Sequence, residues 1–177
     1  HKTKGEGFFI AVLRKKSQEE SRIRIKNDKN KNTKILPEIL SLKNNLLNAE
    51  NWKISVSENR IKALPINKAD EIEFLEKRLK FMSAGILLAE QKGKDFIPET
   101  ALALSKQINI SKFACVEVDL KTAILYLQKE AIEIPQTEKG YVLLSYKNIP
   151  IGWVKNLGNR TNNLYPQEWR IRMKITL

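Results

Sequence analysis

The run YVLLSYKNIPIGWV, from Tyr141 to Val154, decides how this chain is read. Tyr141 to Tyr146 and Ile151 to Val154 are short segments rich in β-branched and aromatic residues, and Pro150 between them is a turn former, so the pair reads as two strands. Working outward, the pattern keeps alternating. Phe113 to Val118 reads as a strand, Leu120 to Lys129 as a helix, and Pro98 opens another helix to about Gln107. Leu79 to Glu90 reads as a long strand through Gly85, and Trp169 to Ile175 as a terminal strand. The class is α+β: small mixed domains ending in a mainly antiparallel sheet, expected to roll into a barrel with short helices.

Further upstream, Leu36, Ile39, Leu40, Leu46 and Leu47 give an imperfect helical stripe over Pro37 to Leu47. Trp52 to Val56 and Arg60 to Leu64 read as strands around the turn-like Ser57, Glu58 and Asn59. A short helix follows Asp70, whose carboxylate is placed to cap free amides, with Glu71 and Glu73 near the positive end of the dipole. Phe8 to Leu13 is apolar without alternation, as in a strand buried on both faces of a helix-covered sheet. Between Lys15 and Lys34 only Ile23 and Ile25 are apolar, too little burial to offset ordering entropy, so a flexible basic linker is expected. The chain starts at His1 without an initiator Met and enters a hydrophobic strand at once, the look of a piece of a longer protein.

Formal net charge is +12, which predicts attraction to a polyanion. The excess is at the two ends: eleven Lys/Arg against four Asp/Glu up to Lys34, ten against ten from Ile35 to Glu99, and eleven against six beyond. No stretch approaches the roughly 20 apolar residues that span a bilayer, and Gly7 to Leu13 is too short for a signal peptide; a cytoplasmic protein without a membrane partner is expected. Ile23 and Ile25 offer too little apolar area to insert into a membrane surface.

Catalytic chemistry finds little support. Cys115 is the one cysteine and His1 the one histidine, so neither an internal disulfide nor a Cys/His metal site is expected. Cys115 sits among Phe113, Ala114 and Val116 without a base, and reads as a buried structural cysteine. Gly5 and Gly7 precede a strand instead of following one, so no phosphate loop, and hence no cofactor, is expected in this chain. Asp70, Glu71, Glu73 and Glu76 run directly into Lys77, Arg78 and Lys80, as on a solvated helix.

The segment from Asn148 to Lys174 carries the functional signal. RNA recognition needs cations for phosphates, flat surfaces for unstacked bases, and amides for base edges or the 2′-hydroxyl. Lys155, Arg160, Arg170, Arg172 and Lys174 supply the first, Trp153 and Tyr165 the second, Asn162 and Asn163 the third. In the expected terminal strand, Trp169, Ile171, Met173 and Ile175 share one face and Arg170, Arg172 and Lys174 the other, giving a basic stripe. The competing reading makes Trp153, Tyr165 and Trp169 core aromatics and the arginines solubilising residues.

The opening Gly5-Glu-Gly-Phe-Phe-Ile-Ala-Val-Leu-Arg-Lys15 resembles the last catalytic-domain strand of RNA cytosine-5 methyltransferases of the Nop/Sun/RsmF kind. Ser83 to Leu87, Phe96 to Leu104, Tyr126 to Glu130, Ile151 to Lys155 and Asn162 to Pro166 resemble the PUA-like RNA-binding domain that ends the RsmF branch. The resemblance implies four parts: 1–15, a remnant catalytic strand; 16–34, the linker; 35–78, a small α+β connecting domain; and 79–177, the PUA-like domain. It also implies a parent that binds S-adenosylmethionine in a catalytic domain upstream of His1 and methylates a cytosine of small-subunit ribosomal RNA with two cysteines. Cys115 matches neither catalytic motif, since no proline precedes it. Gly152 to Lys155, Asn162, Asn163 and Arg170 match segments thought to face RNA. Gln128 and Lys129 depart from the Arg-Gly often found after the Tyr-Leu of the short helix, which leaves that turn and Tyr126 without an assigned role.

The leading expectation is thus an RNA-binding module, with no activity of its own, that positions ribosomal RNA for a catalytic domain of the same polypeptide. A free-standing RNA-associated or ribosome assembly protein is the alternative, with Phe8 to Leu13 in the chain's own sheet. An unrecognised small enzyme is the third reading, weakened by the lack of a nucleophile and base pair.

Overall fold

The computed structural model describes residues 35–135 and 137–173. The expected strand at 1–15, the linker at 16–34, Lys174 and Ile175 lie outside them.

A hairpin of Trp52–Ser57 (β1) and Arg60–Pro65 (β2) opens a four-stranded antiparallel sheet, in register from Trp52 opposite Pro65 to Ser57 opposite Arg60. Ile86–Lys92 (β3) and Asp95–Pro98 (β4) complete it in the order β1-β2-β3-β4. β3 is shorter than the expected Leu79 to Glu90 strand. Gly85 has φ +73°, and a Cβ there would stand 2.3 Å from the carbonyl oxygen of Ala63, so this backbone turns sharply where a strand would have continued. Asp95–Pro98 pairs with β3, and the expected helix from Pro98 shrinks to Thr100–Ala103 (α3).

The helix expected over Pro37 to Leu47 is Pro37–Ser41 (α1) followed by a 3₁₀ turn, Leu42–Asn45. Leu46 then adopts an extended conformation, bridges to Ile108 and buries its side chain, so tertiary burial ends the helix early. Ala69–Glu76 (α2) has Lys68 at its cap, without a side-chain bond. Asp70 therefore lies inside the first turn, and its carboxylate pairs with Lys53 at 2.8 Å instead of capping. Glu73 also reaches Lys53, Glu76 bonds Lys62, and Glu71 bonds Lys68. Asp70, Glu73 and Glu76 of α2 thus answer the lysines of β1 and β2, while Glu71 pairs with the lysine at the helix's own cap.

The second sheet contains Ala114–Glu117 (β5), Gly140–Tyr146 (β6), Ile149–Asn156 (β7) and Thr161–Asn163 (β8), in that order. β5 and β6 are parallel, joined by a crossover through Leu120–Leu127 (α4); the other pairs are antiparallel. Asp119 caps α4 by accepting the Thr122 amide at 2.8 Å.

Two cores meet at this sheet. Leu143 and Trp153 pack with Ile39, Ile54, Ile61 and Leu102 of the first half. Val142, Leu144 and Val154 point the other way, onto Ala123 and Tyr126 of α4. Burial on both faces explains why Val142, Leu143 and Leu144 run together without polar alternation. Neither sheet closes into the expected barrel among the described residues: β8 ends at Asn163, and the Ile171 amide bonds the Leu127 carbonyl of α4, so this segment adds no closing strand. The division expected between residues 78 and 79 falls between β2 and β3, which are hydrogen-bonded neighbours of one sheet.

Candidate nucleic-acid interface

β7 runs between the two cores, and its side chains alternate between them. Trp153 is 1% exposed, edge-on to Phe113 at 4.8 Å, and donates its indole N–H to the Glu99 carbonyl at 2.9 Å. It is a core residue, and the base-stacking role expected for it is corrected: a strand covered on both sides has no face to offer a ligand. Lys155, two residues on, reaches across to the first sheet. Its ammonium lies 2.7 Å from the Asp95 carboxylate and 3.2 Å from the Tyr141 hydroxyl, which itself donates to Asp95 at 2.7 Å. The Lys155 hydrogen bond holds the Asp95 carboxyl below its usual range, and Asp95 in turn raises Lys155. This lysine ties the two sheets together.

On the α4 side, Gly152 has φ +150°, and a Cβ there would stand 2.0 Å from the Tyr126 hydroxyl. The missing side chain lets the fully buried Tyr126 lie against β7 and donate to the Trp153 carbonyl at 3.2 Å. Burial pushes this phenol well above its ordinary value.

Asn163 spends its amide internally. Its nitrogen donates to the carbonyls of Tyr126 (2.9 Å) and Glu130 (3.0 Å), and its oxygen accepts the Tyr165 amide (2.9 Å). Lys129, in the left-handed region at φ +66°, donates to the carbonyls of Asn163 and Tyr165, and its burial lowers its pKa. Gln128 donates to the Met173 carbonyl at 3.0 Å. Gln128 and Lys129, left without a role by the sequence, are therefore the anchors of the segment that follows β8. No sequence signal marks them, because their partners are backbone carbonyls more than thirty residues away.

That segment is a strap rather than the expected terminal strand. Gln167–Trp169 forms a 3₁₀ turn, and residues 170–173 follow without strand pairing. The expected sorting of faces holds only in part. Arg170 and Arg172 are exposed and Ile171 is half-buried, yet Trp169 and Met173 are exposed as well. Arg170 and Arg172 have no ion-pair partner among the described residues. Tyr165, half-buried, stands edge-on between Tyr126 at 5.3 Å and Trp169 at 6.4 Å.

Arg160 is exposed in the turn from β7 to β8, and Asn162 is exposed opposite Lys155. β8 leads away from Arg160 toward Tyr165, so Arg160 stands at the other end of that strand from the strap. Lys174 is outside the described residues. Cys115 is exposed on β5, 3.5 Å from the Ser145 hydroxyl, and not the buried cysteine expected: among the described residues β5 has a hydrogen-bonded neighbour on one side only. Among the described residues no helix is long and apolar enough to cross a membrane.

Residues 113–171 match the family model described as the methyltransferase RsmF PUA domain. The chain is also 32% identical over 102 residues to the ribosomal RNA small subunit methyltransferase F of Shewanella loihica. That alignment covers 55% of this chain and 20% of that protein, so the chain spans about a fifth of its relative's length. The family match opens at Phe113, which packs on Trp153, and ends at Ile171, which is bonded to α4. The second sheet, α4 and the strap together are therefore a PUA-like region of the RsmF type.

Proposed function

We propose that this chain is the RNA-binding C-terminal module of an S-adenosylmethionine-dependent cytosine-5 methyltransferase of small-subunit ribosomal RNA. In this reading it acts in the cytoplasm, has no activity of its own, and holds the RNA for a catalytic domain elsewhere in the same polypeptide. The supporting observation is the pair of exposed cations Arg170 and Arg172, without an ion-pair partner among the described residues, held on a strap bonded to α4 at the end of the region that matches the family. Arg160 and Asn162 extend the surface to the far end of β8, and Lys174 belongs to the same basic tail. Tyr165 acts from behind, as support for the strap, while Trp153, Lys155 and Asn163 hold the scaffold.

The first half contributes little charge to this surface. Lys53, Lys62 and Lys68 are all answered by carboxylates of α2, so long-range attraction of RNA falls to the two basic ends of the chain, the C-terminal one carrying the strap. S-adenosylmethionine is assigned to the catalytic domain. The described strand-to-helix connections, 66–68, 99 and 118–119, contain no glycine, so they do not fit a cofactor loop.

Binding of the chain to small-subunit ribosomal RNA fragments across a salt series tests the proposal. Affinity should fall steeply with salt, and replacing Arg160, Arg170 and Arg172 together by Ala should flatten the logarithmic slope by about 0.7 to 0.9 for each phosphate no longer neutralised. Binding that ignores salt, or a slope unchanged by the triple substitution, would remove the strap from the interface.

A further inference from the structure

We infer that Trp169 is a stacking platform for an unpaired RNA base, with Arg170 and Arg172 taking the phosphates beside it. The inference rests on the RNA-binding reading and adds the ligand's form: single-stranded or looped RNA, in preference to a duplex.

The three tryptophans differ in what they are free to do. Trp153 is enclosed, and Trp52 is half-buried with its indole N–H bonded to the Leu47 carbonyl. Trp169 is 53% exposed, and no hydrogen bond engages its indole N–H among the described residues. An indole left in water directly before two arginines that have no ion-pair partner among the described residues calls for an explanation beyond packing.

The ring is also held in place. Tyr126 is fixed in the core, Tyr165 packs edge-on against it, and Trp169 packs edge-on against Tyr165, a row of three rings from interior to surface. Just past the indole, the Ile171 amide is bonded to Leu127 and the Met173 carbonyl to Gln128. A side chain positioned in advance loses little freedom when a ligand arrives.

The occupant follows from charge and shape. Every base has a π-face, and stacking on an exposed aromatic needs no particular base edge. Paired bases in a helix are already stacked on their neighbours, so a lone indole gains more from a splayed nucleotide. A second copy of this chain is disfavoured as the occupant, because it would bring a further net charge of +12 against Arg170 and Arg172.

The test uses the whole chain with a short labelled RNA offered as a single strand and as a blunt duplex, comparing wild type, Trp169→Ala and Trp169→Phe. The single strand should bind more tightly than the duplex. Trp169→Ala should weaken single-strand binding roughly 5- to 100-fold with the salt slope preserved, and Trp169→Phe should restore much of the loss. Salt-dependent binding that Trp169→Ala leaves unchanged would overturn the platform while the RNA-binding reading stood. Failure of the wild type to bind either RNA would overturn that reading and the platform with it.

Discussion

The hydroxyl of Tyr126 occupies the space in which a side chain at Gly152 would begin, with 2.0 Å left for a Cβ. One contact thereby sets how closely α4 approaches β7, and everything anchored to the end of α4 depends on it. Gly152→Ala should destabilise the protein by roughly 2–4 kcal/mol, from overpacking together with an unfavourable φ. Tyr126→Phe, which removes only the hydrogen bond to Trp153, should cost about 1 kcal/mol. Urea unfolding of the two variants ranks them, and equal midpoints would contradict the packing argument.

Trp153 and Trp169 should separate stability from binding. Trp153→Ala opens a cavity between the sheets and should cost about 3–5 kcal/mol. Trp169→Ala, which removes one edge-on contact with Tyr165 at the surface, should cost no more than about 1.5 kcal/mol. Thermal melts of both variants check this, and a large loss from Trp169→Ala would return that ring to the core.

The pair of Asp95 and Lys155 predicts a pH dependence with a definite sign. Asp95 is held below its unfolded value, so its contribution is present above about pH 3.9 and fades as pH falls through the lowered folded value. Lys155 is raised, so its contribution is complete below about pH 10.4 and is lost as pH rises through the folded value. Between those limits the bridge is intact. Asp95→Asn should shrink the acid-side loss of stability measured by denaturation between about pH 2 and about pH 5. Lys155→Ala should change RNA affinity less than about twofold and leave the salt slope alone, because this ammonium is already engaged.

Lys129 should matter through the strap. Lys129→Met removes two ammonium–carbonyl bonds and should cost roughly 1–3 kcal/mol, while speeding hydrogen exchange at the Ile171 amide. Exchange at Ile171 as slow as in wild type would show that the strap is held without the lysine.

The strands were legible wherever local pattern and burial agree. The hairpin of β1 and β2, and the pair β6 and β7, came out at nearly the expected positions because runs such as Val142 to Leu144 face a core on both sides. Helix lengths were less legible, since Leu46 and Pro98 follow tertiary partners rather than local preference. For the candidate site, exposure was legible in part. Arg160, Asn162, Arg170 and Arg172 are at the surface, as their charge and polarity suggested. Composition could not tell which tryptophan is enclosed, or that Lys155 and Asn163 have internal partners, because both facts depend on residues far apart in the chain.

The sheet formed by β5 to β8 is a shared wall, and a wall cannot be assigned to one room. A fragment beginning at Phe113, where the family match starts, would keep α4 on one side but bare Leu143 and Trp153 on the other. Such a fragment should be sticky and prone to aggregate, whereas residues 35–173 should melt in one cooperative transition. The matched stretch is a unit of resemblance; the unit of folding is expected to be larger and to include the neighbour that covers its second face.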